Sequence, residues 1–124
     1  MQRRAKVSLC STGWKLKTTP MPEARSGEVW IVDLGIAGKV RPCLLLTSYP
    51  EDDELAMITI LPHTTTLRGN RWELAIPKPF LRPGAFHLQQ IQSVSIAYLE
   101  RRLGTLTSAE WQRVQEKLAE RLGL

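Results

Sequence analysis

The sequence predicts a mainly β domain with some α structure: a small, strongly bent antiparallel sheet or barrel, with one helix at its C-terminal end. Short β-rich runs follow one another in quick succession, separated by prolines and glycines, which is typical of such sheets. Residues 107–124 instead repeat apolar side chains at helical spacing. A chain of 124 residues has room for one domain with its core and not for two domains.

Residues 1–24 show no sustained hydrophobic period, and we interpret them as a flexible, basic N-terminal extension ahead of a domain at 25–124. Of the 17 basic and 12 acidic residues in the chain, six basic ones and Glu23 precede residue 27. The later part is therefore formally neutral, although the whole chain has a net charge of +5. A nucleic-acid surface in the domain requires local separation of charge, and the acidic run 51–54 contributes to it.

The first three strands are predicted from apolar and β-branched runs. Glu28–Leu34 is apolar on both faces, as expected for a strand that is covered on both sides. Residues 35–40 supply a turn, and Arg41–Pro42 leads into a second strand that runs through Thr47. A third strand, Leu55–Leu61, is expected to end before the proline that follows it.

Two further β-rich runs, 71–76 and 85–94, have alternating patterns that indicate strands with one face against the core. The apolar members are Trp72, Leu74 and Ile76 in the first run and Phe86 and Leu88 in the second. His87 and Gln89 fall on the opposite face of the second run. Both runs are therefore expected to leave one face open.

The C-terminal segment is predicted to be a helix. Thr107–Glu110 is a capping-box pattern, and Gly123 is a suitable terminator. One apolar stripe runs along the helix and consists of Trp111, Val114, Leu118 and Leu122. This stripe can cover one side of the sheet, with the charged face in solvent.

The cysteines and histidines indicate no metal site and no other cofactor. Cys10 and Cys43 match no ligand or redox spacing, so both are expected to be reduced thiols, with Cys43 a small core residue. The two histidines have no flanking carboxylate pair that would complete a metal site. No apolar run approaches the roughly 20 residues of a membrane span, and we expect the protein in the cytoplasm.

Polar groups that could carry chemistry cluster where the third strand ends. The segment 62–69 reads Pro-His-Thr-Thr-Thr-Leu-Arg-Gly, and a strand exit is a common location for a site. Alternatively, its hydroxyls and imidazole cap turns through hydrogen bonds to the local backbone. Arg41 is likewise either a phosphate ligand or a surface charge. The residues alone leave both alternatives open.

Four segments in a fixed order resemble the MazF/PemK toxins of type II toxin–antitoxin systems. They are Gly27–Leu34, Arg41–Pro42, Leu61–Thr65 and Leu103–Leu106. The resemblance implies an SH3-like twisted antiparallel β-barrel of the MazF/PemK/CcdB type, a homodimer, an antitoxin partner and cleavage of single-stranded RNA, such as mRNA, without a metal. It also implies that Arg41 and Thr64 are catalytic.

The sequence departs from this family in its first loop and its fifth strand. Only six residues separate Leu34 from Arg41, whereas many members have a long polar loop there that closes over RNA. Gln89 stands in a position where many members have an aspartate, and His87 stands where certain members place a catalytic arginine. We therefore propose His87 as a candidate substitute proton donor, with a polar residue on the open face of its strand as the alternative.

Metal-free RNA cleavage proceeds by attack of the ribose 2′-hydroxyl on the adjacent phosphorus, which gives a 2′,3′-cyclic phosphate and a 5′-hydroxyl. Arg41 suits the stabilisation of negative charge, and Thr64 can donate a hydrogen bond to a nonbridging oxygen. His87 or His63 is expected to protonate the leaving oxygen, and the general base stays unassigned. The RNA-binding candidates are Lys39, His63, Thr65, Arg68, Arg71 and Gln89.

Two other functions remain open at this point. One is a CcdB-like gyrase-inhibiting toxin without RNA chemistry. The other is a non-catalytic SH3-like module that binds a peptide or an antitoxin segment, with Trp30 and Trp72 as contact residues unless they pack in the core. The pairing of Arg41 with Thr64 favours the ribonuclease, because a gyrase inhibitor does not need it.

Overall fold

The computed structural model describes residues 23–35 and 39–124. The predicted N-terminal extension through residue 22, Cys10 and the middle of the predicted first turn lie outside the described residues. The described elements are β1 (Glu28–Asp33), β2 (Val40–Leu45), β3 (Met57–Thr64), β4 (Glu73–Leu74), β5 (Ala85–His87), β6 (Gln92–Ser95), β7 (Leu99–Thr105) and α1 (Ser108–Leu122). Single-turn 3-10 helices at Leu88–Gln90 and Ile96–Tyr98 separate the last three strands.

In the described part of the chain, seven strands form one sheet in the order β4-β5-β3-β2-β1-β7, and β6 also pairs with β3. Every pairing is antiparallel. The β1–β7 pairing contains two register shifts, which increase the local twist of a sheet. The prediction of a bent, antiparallel, mainly β fold with one C-terminal helix is confirmed.

Both faces of the central strands are buried, as their apolar pattern predicts. A helix-side core consists of Val29, Leu44, Leu61, Ile76, Phe86, Leu88, Leu106 and Val114. A far-side core consists of Ala24, Trp30, Val32, Cys43, Leu45, Ile58, Ile60 and Leu99. Consecutive residues of β1, such as Val29 and Trp30, therefore enter different cores, because side chains alternate across a strand.

Trp30 and Cys43 are both core residues. Trp30 is 6% exposed, and its indole Nε1 donates a hydrogen bond to Glu28 Oε1 at 3.0 Å. Cys43 is fully buried, and burial raises the pKa of its thiol to about 12, so the thiol stays protonated. Trp30 cannot serve as the contact residue of a binding module, whereas the core role of Cys43 is confirmed.

Helix α1 has the predicted caps. Thr107 Oγ1 accepts a hydrogen bond from the Glu110 amide, while the Glu110 carboxylate accepts one from the Thr107 amide. Gly123 ends the helix in the left-handed conformation, with φ at 74°. Most of the predicted apolar stripe packs on the helix-side core, but Leu122 is 52% exposed because it lies in the last turn.

The third strand extends past the proline that was expected to end it. Pro62 pairs with Cys43 of β2, and β3 continues through Thr64. On its other edge β3 pairs with β6 through Ile60 and with β5 from His63 onward. Pro62 lies between these two pairings, where a missing amide hydrogen costs no ladder hydrogen bond.

The later strands are shorter and more numerous than predicted. Only Glu73–Leu74 of the run 71–76 is a strand, although its apolar residues do contact the helix-side core. The run 85–94 is split by the 3-10 turn at Leu88–Gln90. Strand β7 was missed because its sequence, Leu-Glu-Arg-Arg-Leu-Gly-Thr, does not alternate between apolar and polar residues.

Candidate active site

A cleft of about 720 Å³ opens where β2 begins and β3 ends. The turn after β3, the loop between β4 and β5, and strands β1 and β7 complete its walls. The residues that line it are Ile31, Lys39, Val40, Arg41, Pro42, His63, Thr64, Thr65, Thr66, Phe80, Arg82, Arg101 and Leu103. Arg41 and Thr64 thus share one solvent-open cleft, which is the arrangement that the predicted chemistry requires.

The register of β2 and β3 explains why Arg41 and Thr64 meet. The last paired residues of this ladder are Cys43 and Pro62. Two residues further along each strand, in opposite directions, the same register sets Arg41 against Thr64. Residues that face each other across an antiparallel pair share one face of the sheet. Both side chains therefore reach the same cleft.

The Thr64 side chain makes local hydrogen bonds at the strand exit. Its Oγ1 accepts from the Thr66 amide at 3.1 Å and donates to the Thr66 carbonyl oxygen at 3.4 Å. The expected turn-capping role is therefore present. The donated bond is long, so the hydroxyl hydrogen can turn to a better acceptor in the cleft while the accepted bond stays in place.

His63 forms part of the cleft wall and is almost fully enclosed. Its exposed fraction is 5%, and its ring packs on the Phe86 ring in a T-shaped arrangement, with a centroid distance of 5.1 Å and an interplanar angle of 74°. Burial lowers the pKa of this imidazole below its usual value, and the charge of Arg41 lowers it further. The ring is therefore neutral at neutral pH.

The cleft is strongly basic. Of its described lining residues, four are cations, namely Lys39, Arg41, Arg82 and Arg101, and none is a carboxylate. The acidic run 51–54 does not line it. Residues 27–124 are formally neutral, so the four cations concentrate positive charge locally in the cleft. A phosphate-binding surface requires such a local separation of charge.

Arg82 and Arg101 are not among the residues predicted from the sequence. Arg101 reaches the cleft because β7 pairs with β1, with Arg101 opposite Ile31. That strand was not predicted, so its pairing with β1 could not be used to place Arg101 at the cleft. Arg82 lies in the proline-rich segment before β5, where the sequence contains no recognisable motif. The run of basic residues at 101–102, next to Leu103, is the one signal that was available.

Two candidate residues from the predicted strand at 85–94 do not line the cleft. His87 is 8% exposed rather than on an open face, and its Nδ1 accepts a hydrogen bond from the Gln89 amide at 3.3 Å. Its Nε2 lies 4.0 Å from Glu73 Oε2. The Gln89 side chain accepts a hydrogen bond from Asn70 Nδ2. Both residues hold the local backbone and side chains together.

Arg68 and Arg71 also lie outside the cleft lining. Arg68 contributes its backbone amide, which donates to Glu73 Oε2 at 2.7 Å. The Arg71 guanidinium lies 4.3 Å above the Trp72 ring and 3.6 Å from Glu120 of α1. Of the RNA-binding candidates, the structure brings Lys39, His63 and Thr65 to the cleft, together with Arg41 and Thr64.

No group of three or more metal-ligating side chains occurs within residues 23–35 and 39–124. In the same ranges, no helix has the length and apolarity to cross a membrane.

The model of the PemK-like, MazF-like toxins of type II toxin–antitoxin systems matches residues 25–122. The chain belongs to this family. The match covers all the described strands and α1. It also includes every described residue that lines the cleft.

Several mycobacterial proteins are similar to this chain. The "Probable endoribonuclease MazF5" of Mycobacterium tuberculosis (strain ATCC 25618 / H37Rv) is 32% identical over 91 residues, which is 71% of this chain and 83% of that protein. A solved mycobacterial endoribonuclease in complex with its cognate antitoxin is 25% identical, with a TM-score of 0.67 over 81% of this chain and 95% of that one. The Mycobacterium tuberculosis toxin MazF-mt6 is also 25% identical, with a TM-score of 0.66 over 78% of this chain and 97% of that one.

Proposed function

We propose that this protein is the toxin of a toxin–antitoxin pair, an endoribonuclease that cuts single-stranded messenger RNA in the cytoplasm without a metal. The cut results from attack of a ribose 2′-hydroxyl on the adjacent phosphorus and leaves a 2′,3′-cyclic phosphate and a 5′-hydroxyl. The observation that carries the proposal is the shared cleft of Arg41 and Thr64, with three further cations in its lining. Family membership and a relative named as an endoribonuclease support it.

Arg41 is proposed to stabilise the charge that develops on the phosphate. A guanidinium remains protonated and presents a rigid fork of donors that matches two phosphate oxygens. Charge stabilisation by a preorganised donor is a large contribution to catalysis when the site is partly shielded from water. Arg41 is partly buried at the start of β2, which fits this role.

Thr64 is proposed to donate a hydrogen bond to a nonbridging phosphate oxygen. Its accepted bond from the Thr66 amide fixes the hydroxyl oxygen, and its weak bond to the Thr66 carbonyl is exchanged for the phosphate. A threonine hydroxyl is far too weak a base to deprotonate the attacking group. Thr64 therefore orients the phosphate and does not carry the proton.

Lys39, Arg82 and Arg101 are proposed to hold the phosphates on either side of the cut. All three are exposed on the cleft surface, so they can follow a flexible backbone. Single strands are the favoured substrate because in-line attack needs a backbone released from A-form geometry. DNA lacks the 2′-hydroxyl and is not cut.

The proposed assembly is a homodimer that is inhibited by an antitoxin. A related mycobacterial endoribonuclease has been solved with its cognate antitoxin. An acidic antitoxin segment that folds across the four cations of the cleft would exclude RNA by charge and by volume. The burial of Trp30 argues against the alternative of a peptide-binding module. The pairing of Arg41 with Thr64 argues against a gyrase inhibitor, which does not need it.

The test is incubation of end-labelled single-stranded RNA with the purified protein in excess chelator. The expected products carry cyclic-phosphate and 5′-hydroxyl ends, and a 2′-deoxy copy of the same strand stays intact. Arg41→Ala should cut on the order of 10² to 10³ times more slowly, because it removes one charge-stabilising donor. Arg113→Ala, a change on the exposed surface of α1, is the matched control. Intact RNA under all conditions would refute the proposal.

A further inference from the structure

The cleft contains the groups that hold a phosphate, but the reaction also needs a proton acceptor. The attacking 2′-hydroxyl must lose its proton as the new P–O bond forms. Arginine and lysine are already protonated, and threonine is too weak a base. Among the described residues that line the cleft, His63 has the only side chain that can accept a proton near neutral pH.

We propose that His63 is the general base of this ribonuclease, taking the proton from the attacking 2′-hydroxyl. This inference rests on the proposed function, because it assigns a step of that reaction. From the sequence alone the general base is unassigned, and His63 is a candidate for RNA binding or for protonation of the leaving oxygen.

The position of His63 suits a base at the scissile phosphate. It lines the cleft together with Thr64 and Arg41, and the Arg41 charge acts on its ring. Its ring packs on the ring of Phe86, its partner in the β3–β5 ladder. Gly84 lies on another side, where a Cβ atom would come within 2.9 Å of His63 Cε1. The ring therefore has little freedom to turn away.

The ring nitrogens of His63 are available for the reaction. Neither nitrogen has a hydrogen-bond partner within residues 23–35 and 39–124, although the residue is 5% exposed. His87 differs, because its Nδ1 is occupied by the Gln89 amide and its Nε2 faces Glu73. A polar ring without partners, in the wall of a cleft that takes a polar ligand, is poised to bond with that ligand.

The charges around His63 keep it in the form that a base requires. The charged groups that line the cleft with it are Lys39, Arg41, Arg82 and Arg101, and no carboxylate in the described lining opposes them. Burial and Arg41 lower the pKa of the ring, so it is neutral at the pH of the cell. The acid limb of the pH–rate profile is therefore expected below the usual histidine value of 6.5.

The step balances in atoms and charge. The 2′-oxygen forms a bond to phosphorus while its proton passes to the neutral imidazole, which becomes an imidazolium. The bond from phosphorus to the 5′-oxygen breaks, and water at the open cleft supplies the proton that the 5′-oxygen takes up. The imidazolium then returns its proton to solvent. The products are the cyclic phosphate and the 5′-hydroxyl.

The test compares the pH dependence of kcat/KM for the wild type and His63→Gln. The wild type should lose activity as the pH falls, and the variant should cut about 10² to 10⁴ times more slowly with that acid limb gone. Affinity for an uncleavable RNA with a 2′-deoxyribose at the cut should stay the same. A merely structural histidine would lower affinity and activity together and leave the acid limb in place.

Two measurements keep the test decisive if His63→Gln folds poorly. Free imidazole should restore part of the activity of His63→Gly, and an NMR titration of His63 in the intact protein should give the pKa of the acid limb. The assignment to His63 would be overturned if the pKa of His63 from NMR differed from the pKa of the acid limb of the pH–rate profile. It would also be overturned if a His87 variant lost the acid limb and a His63 variant kept it. A wild type that cuts no RNA would instead refute the proposed function.

Discussion

Gly84 lies so close to the carbonyl oxygen of Thr64 that even a methyl group at this position would overlap it. The same methyl group would lie within 2.9 Å of His63 Cε1. The loop before β5 is therefore packed against the backbone of Thr64 and the ring of His63, the two residues that end β3. The position of the Thr64 hydroxyl depends on the absence of a side chain at Gly84.

Gly84→Ala is expected to lower RNA cleavage by about 10²-fold, because displacement of a reacting group by about 1 Å has an effect of this size. The backbone cannot give way as a flexible side chain would, so Thr64 must move. The measurement is the single-turnover rate on labelled RNA, with circular dichroism as the check on folding. Pro83→Ala, an exposed change one residue earlier, should cut normally. A folded Gly84→Ala protein of wild-type activity would show that Thr64 is free to adjust.

Glu73 holds the loop that carries Thr65 and Thr66 through hydrogen bonds to its carboxylate. The strength of these hydrogen bonds should depend on pH. The carboxylate accepts the amides of Arg68 and Gly69 at 2.7 and 2.8 Å, and these bonds, the Arg68 one foremost, hold its pKa below the usual 4.5. A lowered pKa means that the stabilisation is complete above pH 4.5 and is lost as the pH falls through the lower folded-state value.

Amide hydrogen exchange can check the two hydrogen bonds that cause this pH dependence. At neutral pH, Glu73→Gln should speed exchange at Arg68 and Gly69, because a side-chain amide has one oxygen and cannot accept both bonds with charge assistance. Exchange at a core amide such as Leu44 is the internal control. Unchanged protection of the two loop amides in the variant would contradict the role given to Glu73.

Arg101 should contribute to RNA affinity through charge. Arg101→Ala is expected to weaken binding of an uncleavable single strand and to reduce the slope of log K against log salt by about 0.7, the value for one phosphate contact on a single strand. The next residue provides the control, because Arg102 is paired with Glu28 at 3.2 Å and does not line the cleft. Equal salt slopes for wild type and Arg101→Ala would exclude a phosphate contact.

The cap of α1 should contribute measurably to stability. Thr107→Ala removes the acceptor of the Glu110 amide and is expected to lower the free energy of unfolding by about 1 kcal/mol. Ser108→Ala, an exposed change inside the first turn, should have a much smaller effect. Urea unfolding followed by circular dichroism measures both. Equal midpoints for the two variants would show that the capping box adds nothing.

Much of the fold was predictable because local patterns determined it. The alternation of Trp72, Leu74 and Ile76 identified their shared face even though only Glu73–Leu74 pairs as a strand. The capping box at Thr107 fixed the start of α1. Pro62 misled the prediction because the cost of a proline depends on which strand edges are paired, which is a property of the whole sheet.

The cleft was predictable only in part, for a similar reason. Arg41 and Thr64 were identified by the order of motifs along the chain, and the β2–β3 register brings them together. Arg82 and Arg101 reach the same cleft through contacts between distant segments, which no local pattern encodes. His87 was a reasonable candidate by sequence position, but burial against Glu73 removes it from the cleft lining.

The most direct measurement is a double-mutant cycle on RNA cleavage with Arg41→Ala, Thr64→Val and the combined variant. If both side chains bind one phosphate in the transition state, their effects are coupled, and the double variant should be little slower than the slower single variant. If the losses instead multiply, the two groups act independently, and a single phosphate held between β2 and β3 is contradicted.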